Sequence, residues 1–400
     1  MNAHDQLMPL EDTRAFSGIR SQIQDLNQDN IAELANAAAE LQDVIPLWYG
    51  EGDAVTPDFI REAAKRAIDE GQTFYVPDMR GTTPLNIALS DYLSKLYGRT
   101  IDLDRSTITP SGMQAMHLAM LTLIDSGTNG VYLAPQWPNT AASIHMAGGE
   151  PRAVPLAFDG DFKLDLDRII DACDAKTRVI VWSSPANPTG WTATYEDLRA
   201  LLEFSRKTGI WLISDEVYHR LYADGVAAPS ILEIADDEDR VLVVNSFSKS
   251  WAMTGWRVGW LNHPLSLAPS VSAMTQYINS GTAAILQAGA VAALRQGEPY
   301  VDELRNQVRA GLDCVYDHLS GVETIMLPKK PRGGMYAFFR LKGHTNSRDT
   351  CRMLLERTKV GLAPGVMFGD AGEGFVRMCV FREKAVLQHA VDRIATVLTS

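Results

Sequence analysis

Three residues suited to chemistry follow three successive apolar runs. Val179–Ser183 leads into Ser184-Pro185-Ala186-Asn187-Pro188-Thr189-Gly190. Ile210–Ser214 leads into Asp215-Glu216-Val217-Tyr218, and Val241–Asn245 into Ser246-Phe247-Ser248-Lys249. Each run is short, rich in β-branched residues and closed by turn residues, the pattern of a strand. In open α/β sheets, ligands collect beyond the carboxyl ends of the strands. An amide (Asn187), a carboxylate (Asp215) and an amine (Lys249) would then meet at one sheet edge. An amine can act as a nucleophile and carry a proton, and a carboxylate stabilises a neighbouring cation. Singly, each has an ordinary explanation: a Pro-Thr-Gly turn, a helix cap, a solvated lysine. Their placement at the same edge is what points to a site.

The elements that must hold these residues are legible along the chain. Gly130–Ala134 and Val258–Leu261 are further strand candidates, and Tyr195–Lys207 is an amphipathic stretch between two of them. Such alternation predicts βαβ units and a mostly parallel sheet covered on both faces. The nearly all-apolar strands agree, because both of their faces are buried. The two ends read differently. Residues 16–42 and about 282–320 look helical, Met335–Leu341 and Phe375–Phe381 look like strands, and Glu383–Leu398 like a closing helix. The expected organisation is a large α/β domain over 50–295 and a smaller α+β domain built from 1–49 and 296–400. No internal repeat or low-complexity linker interrupts it.

Composition narrows the function class. The 400 residues are 46% hydrophobic and 22% charged, as in soluble globular proteins. A net charge of -12 argues against nucleic acid or an anionic membrane as the main partner. The four cysteines, Cys173, Cys314, Cys351 and Cys379, form no CxxC pair, and the eight histidines are scattered, so no metal site is expected. The start, MNAHDQLMPLEDTRAF, lacks the basic and apolar regions of a signal peptide. Thr282–Leu294 is too short to span a bilayer. A cytoplasmic enzyme is the expectation.

The chain resembles the class I/II aminotransferases, fold type I enzymes that use pyridoxal 5'-phosphate (PLP), from Ile45 to the C-terminal helix. The most specific segment runs from Ser246-Phe247-Ser248-Lys249 to Gly255-Trp256-Arg257. Asn187-Pro188-Thr189-Gly190 and Asp215-Glu216-Val217-Tyr218 precede it in the family's order. The resemblance implies that Lys249 forms the Schiff base with the cofactor and then moves the substrate's α-proton. Asp215 would keep the pyridine nitrogen protonated, making the ring a better electron sink. Tyr218 and Asn187 would hydrogen-bond the ring's O3' oxygen. Ser111-Gly112-Met113, opening the helix Ala115–Ile124, would cradle the phosphate on backbone N–H groups, joined by Ser246, Ser248 and Arg257. Trp137 would stack on the ring. Tyr75 would reach the phosphate of the neighbouring subunit, which requires a homodimer. Arg377, Asn187 and the backbone of Gly50 would bind the substrate, Arg377 and Gly50 at its α-carboxylate. The reaction implied is transfer of an amino group from an L-amino acid to a 2-oxo acid. It is a ping-pong exchange through pyridoxamine phosphate.

The sequence departs from one bacterial branch of aspartate aminotransferases. There a lysine that reads a side-chain carboxylate follows the phosphate-turn glycine. Here that position is Met113, which cannot pair with a carboxylate. With Trp48 and Tyr49 it suggests a more apolar or aromatic pocket, although Arg14, Arg20 and Arg80 remain possible distal cations. Two other readings stay open. The same motifs serve a C–S β-lyase or a decarboxylase, because substrate orientation decides which bond breaks. A ligand-sensing regulator without enzymatic activity would need a DNA-binding module, and the residues before Ile45 show no convincing helix-turn-helix.

Overall fold

The structure, a computed structural model, describes residues 18–26, 36, 38 and 41–399. Most of the helix expected over 16–42 lies outside these residues, as does Arg14. Within them, Ser21–Gln24 forms a single helical turn.

Seven strands build the central sheet: β1 Ser106–Thr109, β2 Asn129–Ala134, β3 Glu150–Pro155, β4 Thr177–Ser183, β5 Trp211–Asp215, β6 Val241–Ser246 and β7 Gly259–Asn262. Their order across the sheet is β1-β7-β6-β5-β4-β2-β3. All pairings are parallel except those of β7, which runs antiparallel to both β1 and β6. The mostly parallel α/β sheet expected from the sequence is therefore what the chain forms. β6 is buried along its whole length, and β4 except at Arg178, which explains their unbroken apolar runs. The helix Tyr195–Thr208 returns the chain from β4 to β5. A capping box starts it, the Thr194 side chain accepting from Asp197 N–H while the Asp197 carboxylate accepts from Thr194 N–H, and Gly209 at φ 77 ends it.

Register aligns the three chemical strand ends. Asp215 lies opposite Ser183 on one side and Val244 on the other. Gly259, the first residue of β7, lies opposite both Ser246 and Thr109. The turn after β1 and the turn after β6 are thus brought side by side.

The long helical region splits at Gly297 into Ala284–Gln296 and Glu298–Leu319. A second sheet, antiparallel, has the order Ile325–Met326, Tyr336–Leu341, Phe375–Cys379, Ala363–Pro364. Near the start of the chain, Ile45–Pro46 pairs in parallel with Val360–Gly361. The carbonyl of Leu47 then accepts from the N–H of Cys379. An apolar cluster that includes Leu47, Val315, Phe339, Leu354 and Ile394 fills the space between this sheet and its helices. No helix among the described residues is long and apolar enough to cross a membrane.

Candidate active site

A cavity of about 340 Å³ opens at the carboxyl edge of the central sheet. Twelve of the residues expected at the site line it: Gly50, Gly112, Met113, Trp137, Asn187, Asp215, Tyr218, Ser246, Ser248, Lys249, Arg257 and Arg377. Ser111 stands just behind the wall as the cap of the helix Gly112–Leu123, where its Oγ accepts from the N–H of Gln114. Tyr75 is elsewhere, 85% exposed on the surface.

The two turns form one wall. Ser111 is held at φ 121, where a side chain is strained by about 1–3 kcal/mol. The glycines around it leave no room: a Cβ on Gly259 would stand 2.5 Å from Gly112 N, and one on Gly112 would stand 3.2 Å from Ser246 Cβ. Ser246 Oγ donates to Ser248 Oγ at 2.9 Å and accepts from Ser248 N–H. Arg257, with φ 55, donates from Nη1 to the carbonyl of Thr254 at 2.7 Å, and no carboxylate among the described residues pairs with it. An unpaired guanidinium beside free backbone N–H groups is suited to an anion.

The cavity also holds two buried titratable groups, Lys249 and Asp215. Lys249 Nζ donates to the Gly50 carbonyl at 2.6 Å. Burial pulls its ammonium down to about 8, aided by the nearby Arg377 and Arg257 against the pull of Cys379 and Glu51. Burial pushes the Asp215 carboxyl up to about 6, despite the Val217 N–H and Lys249. Its neighbour Glu216 points to the other face of the strand, where it accepts from Ser214 and Ser230. Alternation along a strand separates these adjacent carboxylates.

Arg377 is 1% exposed. Its Nη1 donates to Asn187 Oδ1 at 2.9 Å, and its Nη2 donates to the carbonyl of Trp48. Its Nε is buried without a partner among the described residues. Its guanidinium lies between the rings of Tyr336 and Phe368, with Cζ 4.4 and 4.8 Å from their centroids.

Several expectations about the far end of the cavity change. Trp48 is a buried core indole against Gly361, and only its carbonyl approaches the site. Tyr49 does line the cavity. Arg80 is engaged by Asp78 and Asp104, and Arg20 donates to the Met146 carbonyl, so neither enters this cavity. Sequence reasoning did not single out Glu51, Met116, Asn139, Thr254 or Tyr336, which also line it.

The model of the family described as aminotransferase class I and II matches residues 43–394, and the chain belongs to that family. It is thereby a transferase enzyme. It is 32% identical over 377 residues to an aspartate aminotransferase of Pyrococcus horikoshii, covering 93% of this chain and 95% of the relative. It is also 32% identical over 381 residues to aromatic-amino-acid aminotransferase 2 of Thermococcus litoralis, covering 93% and 96%. The crystal structure of an aspartate aminotransferase from Thermotoga maritima superposes with a TM-score of 0.88 at 30% identity, covering 95% of this chain and 99% of that one.

Proposed function

We propose that this aminotransferase holds PLP in the cavity at the sheet edge and moves the amino group of an L-amino acid to a 2-oxo acid. The observation that carries the reading is the convergence of Lys249, Asp215, Arg257 and Arg377 on one small cavity. The donor set suits the cofactor. Among the described residues Arg257 has no carboxylate partner, which suits a phosphate site. Asp215 is a carboxylate whose burial makes a cationic partner favourable, and a pyridinium N–H is such a partner. Arg377 has a buried Nε still to satisfy, which suits a carboxylate.

When bound, the cofactor supplies an aldehyde that captures amines and a ring that accepts an electron pair. The chain's own residues do the rest. Lys249, with its ammonium lowered by burial to about 8, gives up its proton far more readily than an exposed lysine. Its Nζ would hold the cofactor through its aldehyde and, once free, would carry the α-proton of the donor and return one on the acceptor's side. Asp215 holds the proton on the ring nitrogen. Tyr218 and Asn187 hold the ring oxygen, and Trp137 covers one ring face. The Ser111-Gly112-Met113 turn holds the phosphate with Ser246, Ser248 and Arg257. Arg377 holds the substrate's α-carboxylate beside Gly50. Donor and acceptor use the same cavity in turn.

Met113, Met116, Trp137 and Tyr49 give the cavity an apolar lining. We therefore assign it amino acids with uncharged side chains. Tyr75 and its exposed neighbour Phe74 suit a homodimer in which Tyr75 reaches the partner's phosphate. The domain division at about residues 50 and 295 and a cytoplasmic location belong to the same proposal.

The test is to add single amino acids to the PLP-loaded protein. Loss of visible absorbance with one equivalent of 2-oxo acid and no ammonia is the expected result, for methionine or phenylalanine before aspartate. Ammonia release would replace transamination with the lyase reading. Retained turnover in Lys249→Ala would refute both.

A further inference from the structure

Tyr336 is not needed to explain any step above, yet it sits between two of the site's principal groups. The strand Tyr336–Leu341 runs antiparallel to Phe375–Cys379, with Tyr336 opposite Cys379 and Phe338 opposite Arg377. That register sets Tyr336 and Arg377 on one face of the sheet, and the guanidinium rests on the Tyr336 ring. The Tyr336 and Tyr218 rings meet at 74° with centroids 5.8 Å apart. Their hydroxyl oxygens are 2.7 Å apart. The chain passes over this pair at Gly50, where a Cβ would stand 2.6 Å from Tyr336 Oη.

A phenylalanine would fill the same volume and still carry the guanidinium. The hydroxyl therefore needs its own account. Each phenol has one proton to donate. If Tyr218 donates to Tyr336, it has none for the oxygen of a cofactor ring. If Tyr336 donates to Tyr218, the Tyr218 proton is free to point into the cavity.

We propose that Tyr336 is a positioning residue that donates its hydroxyl proton to Tyr218 Oη, aiming the Tyr218 proton at the cofactor's ring oxygen and strengthening that bond. This rests on the reading that PLP occupies the cavity. Both phenols stay neutral across the working range. Burial pushes Tyr336 up to about 12, with Arg377 pulling the other way, and burial raises Tyr218 well above the ordinary phenol range as well. The charged and titratable groups around the pair and Lys249 are Arg377 and Cys379 from one strand, Asp215 from β5, Glu51 after Gly50, and Arg257. Tyr336→Phe leaves each of these side chains in the sequence, so the hydroxyl is the one group removed. Hydrogen bonds in a chain polarise one another, so losing the first weakens the second.

The experiment is a pH titration of the visible band of the PLP-loaded, substrate-free protein. Weaker donation to the ring oxygen would leave that oxygen freer to stabilise a proton on Lys249 Nζ. The midpoint in Tyr336→Phe is therefore expected to rise by roughly half a pH unit. PLP affinity and the KM for the amino acid are expected to stay within about twofold, because Arg377 keeps its ring. In a Tyr218→Phe background the same substitution is expected to shift nothing. An unchanged or lowered midpoint in Tyr336→Phe overturns the proposal, as does an equal rise without Tyr218. A wild-type protein whose visible band is absent, or is the same in Lys249→Ala, overturns the cofactor reading itself.

Discussion

Lys249→Met should make the cofactor-free protein more stable while abolishing its activity. Burial lowers the Lys249 ammonium from 10.5 to about 8. That difference costs the folded state roughly 3 kcal/mol wherever the lysine is protonated in both states, which is below about pH 8. Between about 8 and 10.5 the unfolded chain binds the extra proton, so wild-type stability climbs with pH. Above 10.5 the cost is gone. Methionine fills similar space and carries no charge. It leaves the Gly50 carbonyl without its donor, a loss of about 1 kcal/mol. The variant should therefore be more stable by about 2 kcal/mol near neutrality and slightly less stable above about pH 10.5. Urea denaturation of both cofactor-free proteins, followed by tryptophan fluorescence at several pH values, measures the difference. A variant that is less stable at neutral pH, or a difference that ignores pH, would refute the reasoning. Such a result would mean that the amine is well solvated or well paired in the empty cavity.

Asp215→Asn should behave in the mirror sense. It should stabilise the cofactor-free protein above about pH 6, an advantage that shrinks as pH falls toward 3.8, while turnover drops by orders of magnitude. Denaturation curves at pH 4 to 8 and a steady-state rate check both halves. Gly259→Ala places a methyl 2.5 Å from one backbone atom and 2.6 Å from another. The cost should be about 1–3 kcal/mol. PLP affinity should fall at least tenfold as the Ser111-Gly112 turn is displaced, which a cofactor titration reads directly. Arg377→Lys keeps a charge but has fewer donors for Asn187, the Trp48 carbonyl and a substrate carboxylate. The KM for the amino acid should rise roughly a hundredfold with PLP still bound; loss of PLP at unchanged KM would contradict the role given to Arg377.

What the sequence made legible was whatever lies at the end of a buried parallel strand. Asn187, Asp215 and Lys249 each follow an all-apolar run, so both the strand and its exit could be read. Strands 211–215 and 241–246 fall within a residue of expectation. β3, with sequence Glu-Pro-Arg-Ala-Val-Pro, went unread because it is a sheet edge, polar and bounded by prolines. Tyr336 was hidden for the opposite reason. Its strand is apolar except at Arg340, and nothing local marks which side chain leans toward the cavity. Gly259 is invisible without the pairing partners of β7, because its function depends on register. Trp48 shows the converse error: residue type suggested a pocket wall, whereas the indole packs into the core and the backbone serves the site.

The single antiparallel strand has a consequence for assembly. Residues 109, 246 and 259 come together only when β7 is inserted between β1 and β6. Closing so long a loop is paid in chain entropy before any contact rewards it, so this step belongs late in folding. A chain emerging from the ribosome can form β2 to β6 while its anion turn still has no floor. On the proposed reading, cofactor capture would then report a finished sheet. Cofactor supply acts on the completed fold by mass action and leaves partly folded chains unprotected.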